Sequence, residues 1–201
     1  MNIIVDTGCA NLSSVRFAVE RLGYDVAISA EPDLILNADK VFLPGVGTVA
    51  AAMQQLHEKQ LVEVVQSVTA PLLGICLGMQ ILVESSFEGG ASVAETAQDC
   101  LGLIPGTITK LEPKQNLPLP HMGWNQVKPN NHPLFANIDP QSFFYFVHSY
   151  ALGVSDVTIA ECDYGASFSA AIGKDNFMGV QFHPERSGKA GAQLLKNFLE
   201  M

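Results

Sequence analysis

The sequence predicts an α/β fold in which a mostly parallel central sheet is flanked by helices, with additional β structure in the C-terminal half. Short apolar strand-type runs alternate with amphipathic helical runs from residue 2 to residue 75, a pattern typical of βαβ units. After residue 120, strand-type runs follow one another until a final helical segment. The 201 residues contain no internal repeat and no low-complexity linker, so we expect a single domain over residues 1–201.

The elements of the first half are short. Asn11 is a candidate N-cap for the first helix, and Gly23 ends that helix. Ligands of parallel sheets bind beyond the carboxyl ends of the strands, so the residues after each strand are candidates for a site. Apolar spacing predicts strands at 2–5, 24–28, 40–43 and 72–75, helices at 12–22, from 48 onwards and at 61–68, and a further helix-like run at 79–87.

The second half is richer in strand-type sequence. The aromatic run 143–146 is interpreted as a buried strand rather than as an aromatic binding surface. The polar segment 91–99 and the proline-rich segment 112–120 are predicted to be loops. Predicted strands lie at 123–127, 143–147, 157–162, 168–172 and 177–182, and a last helix begins near residue 188.

Composition excludes several classes of function. The chain has 11 Lys and Arg against 20 Asp and Glu, a net charge of -9, and no basic cluster, so we expect no nucleic-acid partner. No apolar run is long enough for a membrane helix, and the N-terminus does not resemble a signal peptide. The 4 cysteines are scattered without metal-ligand spacing, which indicates reduced thiols, no metal site and a cytoplasmic location. Three of them, Cys9, Cys100 and Cys162, are interpreted as packing thiols or neutral surface thiols.

The segment Gly74-Ile75-Cys76-Leu77-Gly78 has the spacing of a strand-to-helix nucleophile elbow, with Cys in the nucleophile position. The sharp turn strains the backbone at the nucleophile, and side chains at the two glycine positions would collide with the neighbouring strand and helix. A helix N-terminus after the cysteine would stabilise a thiolate. A buried cysteine in a glycine-containing strand fits the same five residues, and this segment alone does not decide between the two.

A thiol nucleophile needs a base, and His183 is the best candidate among the 5 histidines. It follows an apolar strand, and Pro184 then stops the strand and fixes the direction of the chain. Glu185 can accept a hydrogen bond from the second imidazole nitrogen and hold the required tautomer. Taken alone, these residues also fit an ordinary loop after a strand. Together with Cys76 they predict a Cys-His-Glu triad.

Acyl transfer also needs donors for the oxyanion of the tetrahedral intermediate. The N–H of Leu77, directly after the nucleophile, is one candidate. The turn Pro44-Gly45-Val46-Gly47 ends another parallel strand and offers further candidates at Val46 and Gly47.

The strings GICLGMQ, PGVG and GVQFHPE occur in this order along the chain, and together they resemble the triad-type, class I glutamine amidotransferases. The resemblance covers the whole chain. It implies hydrolysis of the glutamine side-chain amide to glutamate and ammonia through a γ-glutamyl thioester on Cys76. His183 would transfer the protons and Glu185 would orient it. The resemblance implies no cofactor and no metal.

Further strings, PHMGWN at 120–125 and YFVHSY at 145–150, resemble the glutaminase subunits of imidazole glycerol phosphate synthases, which serve histidine biosynthesis. This implies a TIM-barrel cyclase partner (HisF-type) in a heterodimer. The cyclase would receive the ammonia through a channel and make imidazole glycerol phosphate and AICAR from PRFAR. By the same resemblance, Trp124 and Asn125 lie at the partner interface. Thr7 and Ala10 depart from the usual pattern of the first loop.

The resemblance also implies a glutamine pocket formed by Gly47, Gln80, Glu88, Ser149 and Tyr150. Glu88 is suited to pair with the α-ammonium of the substrate, and the backbone at 149–150 is suited to bind its amino-acid end. Gln80 and Glu88 would equally fit an exposed helix face.

Other functions share part of this pattern. A glutaminase of another synthase, of the pyridoxal phosphate or anthranilate type, would have the same triad. A stand-alone thiol hydrolase or peptidase would also have a strand-end cysteine and a distant histidine, and a non-catalytic binding module could keep the fold. Ammonia release from glutamine and the identity of a co-purifying partner distinguish these alternatives.

Overall fold

The computed structural model describes residues 1–8, 11–88, 96–114 and 117–201 of the chain. Two short 3₁₀ turns, Pro133–Phe135 and Pro184–Arg186, add to the regular elements. The strands are β1 Asn2–Val5, β2 Val26–Ser29, β3 Lys40–Gly45, β4 Leu72–Cys76, β5 Val83–Ser86, β6 Gln98–Asp99, β7 Ile104–Lys110, β8 His121–Gln126, β9 Lys128–Pro129, β10 Phe143–His148, β11 Tyr150–Leu152, β12 Thr158–Asp163, β13 Ser167–Lys174 and β14 Phe177–Val180. The helices are α1 Leu12–Glu20, α2 Pro32–Leu36, α3 Val49–Glu58, α4 Val62–Gln66, α5 Leu77–Gln80 and α6 Gly188–Glu200.

The central sheet has eight strands in the order β2-β1-β3-β4-β14-β13-β12-β9. The first five strands in this order, β2, β1, β3, β4 and β14, are parallel to their neighbours. The last three, β13, β12 and β9, each pair antiparallel with the strand before them. The predicted α/β class with a largely parallel sheet and extra β structure is therefore confirmed, in the form of a mixed sheet.

Hydrophobic residues cover both faces of this sheet. Along β3, Phe42 belongs to one buried cluster, whereas Val41 and Leu43 belong to the other. Successive side chains of a strand point to opposite faces, so a strand with apolar residues at every position is buried on both sides. This explains why the N-terminal strands are continuous apolar runs in the sequence.

Two smaller sheets complete the fold. β8 pairs antiparallel with β10, and a four-stranded sheet has the order β11-β7-β5-β6. The prediction of a helix-like run at 79–87 is wrong beyond residue 80, because Val83–Ser86 is a strand that pairs with β7. The buried pairing of Val83 with Ile104 outweighs the local helical pattern in this segment.

The predicted loop at 91–99 is also wrong at its end, where Gln98–Asp99 pairs with Ser85 and Ser86. Residues 91–95, like Cys9 and Ala10, lie outside the described residues. In the described ranges, no helix is both long and apolar enough to cross a membrane. Those ranges also contain no cluster of three or more His, Cys, Asp or Glu side chains suited to a metal ion.

The carboxyl ends of three neighbouring parallel strands define one edge of the central sheet. Gly45 at the end of β3 is in register with Cys76 at the end of β4. Ile75 is in register with Val180 at the end of β14, three residues before His183. The turn after β3, the cysteine and the histidine, far apart in sequence, thus meet at this edge.

Candidate active site

Cys76 lies at a sharp turn between β4 and α5, with φ 55° and ψ -110°, which is a strained conformation for a residue with a side chain. The two flanking glycines allow the turn. A Cβ on Gly74 would lie 2.6 Å from the Gly78 carbonyl oxygen, and a Cβ on Gly78 would lie 1.7 Å from the Leu43 carbonyl oxygen. The predicted collisions with the helix and with the neighbouring strand are both confirmed.

His183 and Glu185 form the rest of the predicted triad. The imidazole Nδ1 lies 2.9 Å from Glu185 Oε1, and the two side chains are 8% and 1% exposed. The backbone N–H of His183 donates to the Tyr145 carbonyl at 2.9 Å, which ties the histidine to β10. Asn11 Nδ2 also donates to Glu185 Oε1, at 3.4 Å. The carboxylate therefore faces the imidazole from a fixed position.

The pKa of His183 is raised above its ordinary value of 6.5. Burial of the ring acts to lower it, but hydrogen bonds and charge interactions with Cys76 and Glu185 outweigh the desolvation. A raised pKa is what an imidazolium between a thiolate and a carboxylate requires.

Gln181 also contacts the thiol, which was not predicted from the sequence. Its Nε2 donates to Cys76 Sγ at 3.7 Å, and the residue is completely buried. The Val147 carbonyl lies 4.0 Å from Sγ and can accept from the neutral thiol. An amide N–H directed at sulfur stabilises the thiolate form. This donor matters because α5 has only four residues, so its macrodipole stabilises a thiolate less than that of a longer helix would.

Cys76 opens into a cavity of about 210 Å³. Ser149 and Tyr150, predicted to bind substrate, do not line the cavity, whereas their neighbours Val147 and His148 do. Tyr150 contributes indirectly, since its carbonyl accepts a hydrogen bond from Gln80 Nε2 at 3.0 Å. The lining residues are Gly45, Val46, Gly47, Cys76, Leu77, Gln80, Glu88, Val147, His148 and His183.

Glu88 brings an incompletely satisfied carboxylate to this cavity. One interaction comes from the backbone N–H of Val49, at the start of α3. Its Oε2 is buried and has no hydrogen-bond partner. Burial raises the pKa of Glu88 to about 7. A ligand ammonium group would satisfy the free oxygen and stabilise the ionised form.

The predicted oxyanion residues lie beside the thiol. Val46 and Gly47 line the cavity next to Leu77. Gly47 has φ 98°, and a Cβ there would meet nothing within 4 Å, so the glycine is required by the backbone conformation and not by crowding.

The two predicted interface residues differ in environment. Trp124 is 55% exposed, and Met122 and Phe143 on the same face of the β8–β10 sheet are 63% and 51% exposed. Asn125 points to the other face, where its amide donates to the Asp163 carbonyl at 2.9 Å. Trp124 is therefore a surface residue and not part of the core.

The predicted buried strand at 143–146 alternates in burial. Phe144 and Phe146 are buried, and Phe143 and Tyr145 face the exposed side. Cys100 and Cys162 are free thiols away from the cavity, and burial raises the pKa of each to about 12. Both therefore stay protonated and unreactive near neutral pH.

The chain matches the family model "Glutamine amidotransferase class-I" over residues 3–201, and it belongs to that family. It is 61% identical to the imidazole glycerol phosphate synthase subunit HisH of Photobacterium profundum, covering 99% of this chain and 96% of that protein. It is 58% identical to the HisH subunit of Vibrio cholerae, covering 99% and 98% of the two chains. The family resemblance read from the sequence is confirmed.

Solved structures show the same fold at low identity. A structure described as a glutamine amidotransferase has a TM-score of 0.73 at 15% identity, with 98% of this chain and 97% of that chain covered. PurLQS from Thermotoga maritima has a TM-score of 0.70 at 17% identity, with 99% and 97% covered.

Proposed function

We propose that the protein is the glutaminase subunit of an imidazole glycerol phosphate synthase, acting in histidine biosynthesis and located in the cytoplasm. The observation that carries the chemistry is the contact between Cys76 and His183, which both line a small, partly polar cavity, together with the 2.9 Å contact between His183 and Glu185. The extensive identity with HisH subunits over nearly the full length supports the particular synthase.

The geometry supports a two-step hydrolysis. The Cys76 thiolate attacks the side-chain carbonyl carbon of glutamine, and the resulting oxyanion is stabilised by backbone N–H groups at Leu77 and at the Val46–Gly47 turn. The His183 imidazolium gives a proton to the leaving nitrogen, ammonia departs, and a γ-glutamyl thioester remains on Cys76. Water, deprotonated by neutral His183, then attacks the thioester. Glutamate leaves, and the thiolate and imidazolium form again.

The cavity also explains recognition of the amino-acid end of the substrate. The buried, unpartnered oxygen of Glu88 is suited to the α-ammonium group. Both Gln80 N–H groups are already donated, to Tyr150 O and to Gln181 Oε1, so its amide oxygen is the atom left for a ligand. The predicted backbone contacts at Ser149 and Tyr150 remain a proposal.

The exposed face of the β8–β10 sheet is proposed as part of the partner interface. Met122, Trp124 and Phe143 form an apolar surface of the kind that protein interfaces cover. The same strand β10 holds His183 through Tyr145, and Val147 on that face lines the cavity. A TIM-barrel cyclase docked here would meet ammonia close to where it is released. The role of Asn125 would be to support this strand from the inner side.

The test is to purify the chain together with the proposed cyclase subunit of the same organism and to measure product formation from two nitrogen sources. The wild-type complex should use glutamine. A complex carrying Cys76→Ser should lose the glutamine reaction but keep the reaction with ammonium salts, because the cyclase is intact. Equal use of glutamine by both complexes would rule out Cys76 as the nucleophile, and stable capture of a different synthase would rule out the proposed partner.

We also expect the isolated chain to hydrolyse glutamine slowly, since hydrolysis without an acceptor wastes the substrate. The open space around Gly47 supports a mobile oxyanion turn as the restraint. Peptide hydrolysis by the chain alone would instead favour a stand-alone thiol peptidase.

A further inference from the structure

Two buried histidines outside the proposed triad form a hydrogen-bonded pair. His121 Nδ1 lies 3.0 Å from His148 Nε2, and His148 Nδ1 lies 2.9 Å from the Tyr150 carbonyl oxygen. At the other end, Asn125 Nδ2 lies 3.4 Å from His121 Nε2. The chain of bonds thus runs from β8, the strand that carries Trp124, through β10 to the start of β11.

The direction of these bonds follows from their last acceptor. A backbone carbonyl only accepts, so the proton of His148 is on Nδ1 and its Nε2 accepts from His121 Nδ1–H. His121 Nε2 then accepts from the Asn125 amide. Burial lowers the pKa of His121 to about 4 and that of His148 to about 3, so both rings are neutral near physiological pH and keep this orientation.

A second chain of bonds meets the first at the Tyr150 carbonyl. Gln80 Nε2 donates to that oxygen at 3.0 Å and to Gln181 Oε1 at 2.9 Å. The Gln181 amide is thereby oriented with its Nε2 towards Cys76 Sγ. Because Gln80 lines the cavity, a shift of this one carbonyl would shift the Gln80 side chain there.

We propose that His121 and His148 are positioning residues for glutamine binding, acting through the Tyr150 carbonyl on Gln80. The proposal rests on the proposed glutaminase function. Without the hydrogen bond from His148, the Tyr150 carbonyl is held by Gln80 alone, so both the carbonyl and the Gln80 amide bonded to it can shift at the cavity wall. The affinity for glutamine should fall, whereas the chemistry at Cys76, His183 and Glu185 should continue.

Simple packing is the competing explanation. His121 is stacked between Phe146 and Tyr164, with ring centroids 4.8 Å and 4.1 Å apart and ring planes 21° and 20° from parallel. A role in packing alone needs the flat ring, and a role in positioning needs its Nδ1–H. Two substitutions separate these requirements: His121→Phe keeps the ring without the nitrogen, and His121→Asn keeps a donor near the Nδ1 position without the ring.

The experiment measures steady-state glutamine hydrolysis by these variants in complex with the proposed cyclase. Positioning predicts that His121→Phe raises KM for glutamine roughly 3- to 10-fold, the range of one ordinary hydrogen bond, and that His121→Asn raises it less. For both variants, kcat at saturating glutamine should stay within about twofold of wild type. A lower kcat with unchanged KM would indicate loss of folded protein and would overturn the proposal.

A matched pair at His148 covers the case in which His121→Phe does not fold. His148→Asn places an amide near Nδ1, where it can still donate to the Tyr150 carbonyl, and His148→Gln places it near Nε2, where it cannot. The proposal expects the larger KM for His148→Gln, and equal KM values for the two would contradict it. A wild-type complex that releases no ammonia from glutamine would overturn the proposed function, and the positioning role with it. An active wild type with no KM difference within either pair would overturn the positioning role alone.

Discussion

The three buried histidines His183, His121 and His148 lie in two different electrostatic environments. His183 faces the Glu185 carboxylate and the Cys76 thiol, and its pKa is raised. His121 and His148 face each other, an amide and a carbonyl, and their pKa values are lowered to about 4 and about 3. The difference shows that burial alone does not identify a histidine suited to proton transfer. A buried imidazole with a negative partner can hold and transfer a proton, and one with neutral partners is suited to fixing geometry.

The largest effect should come from removing the charged histidine. His183→Ala should lower glutamine hydrolysis by roughly 10²–10⁴-fold, because the substitution removes the imidazole that hydrogen-bonds to the Cys76 thiol and exchanges protons with it. Ammonia release by the complex measures this. His57→Ala, at an exposed position on α3, is the control and should behave as wild type. Activity of His183→Ala within a few-fold of wild type would place the proton transfer elsewhere.

A smaller loss of activity is expected when only the negative charge of Glu185, which contacts His183, is removed. Glu185→Gln keeps the size of the side chain but removes the carboxylate that helps to raise the pKa of His183, so the imidazolium becomes less stable. We expect kcat to fall by at least about tenfold and the pKa of His183 to decrease. Kinetics together with imidazole NMR titration test both parts. An unchanged pKa of His183 would show that Glu185 does not act electrostatically.

Glu88→Gln should affect binding more than turnover. Loss of the carboxylate removes the proposed partner of the substrate ammonium and should raise KM for glutamine by roughly tenfold, the value of a charge-assisted hydrogen bond. Because the pKa of Glu88 is raised to about 7, wild-type KM should decrease as pH rises through that value, when the carboxylate ionises. The ratio of variant to wild-type KM should increase over the same range. A ratio independent of pH would exclude Glu88 as the ionising group.

The smallest effects concern stability. The contribution of His183 to stability should change with pH in the opposite direction to the contributions of His121 and His148. The pKa values of His121 and His148 are lowered, so their contribution to the free energy of unfolding is complete above 6.5 and is lost as pH falls towards about 4 and about 3. The pKa of His183 is raised, so its contribution is complete below 6.5 and is lost as pH rises through the raised value. Urea unfolding of wild type and His148→Asn should show a stability difference that shrinks on acidification. For His183→Asn the difference should shrink as the solution becomes alkaline. Parallel curves for both variants would contradict the assignment.

The strand-to-helix elbow around Cys76 could be predicted from the sequence because its requirements are local. The turn around Cys76 requires glycine at positions 74 and 78, and the strand end before Pro184 positions His183. Short sequence motifs are therefore enough to predict this arrangement. The parallel strands could also be predicted from local sequence, because their continuous apolar runs reflect burial on both faces. Resemblance to a family supplied what local rules did not, including the pocket position of Glu88.

Other features depend on contacts between distant segments. Gln181 directly follows β14, and the pairing of β14 with β4 brings it to the thiol. A polar residue in the apolar run 177–182, two residues before His183, was the signal available in the sequence. The importance of His148 arises from its partners on β8 and β11, and β5 is a strand because β7 pairs with it.

The most direct test of this comparison is an NMR titration of the histidine rings in the wild-type chain, with assignments from single substitutions. Across the range around 6.5, His183 should remain an imidazolium, while His121 and His148 should remain neutral with their protons on Nδ1. Titration of all three rings near 6.5 would contradict the account, because the charged and the neutral environments would then be indistinguishable.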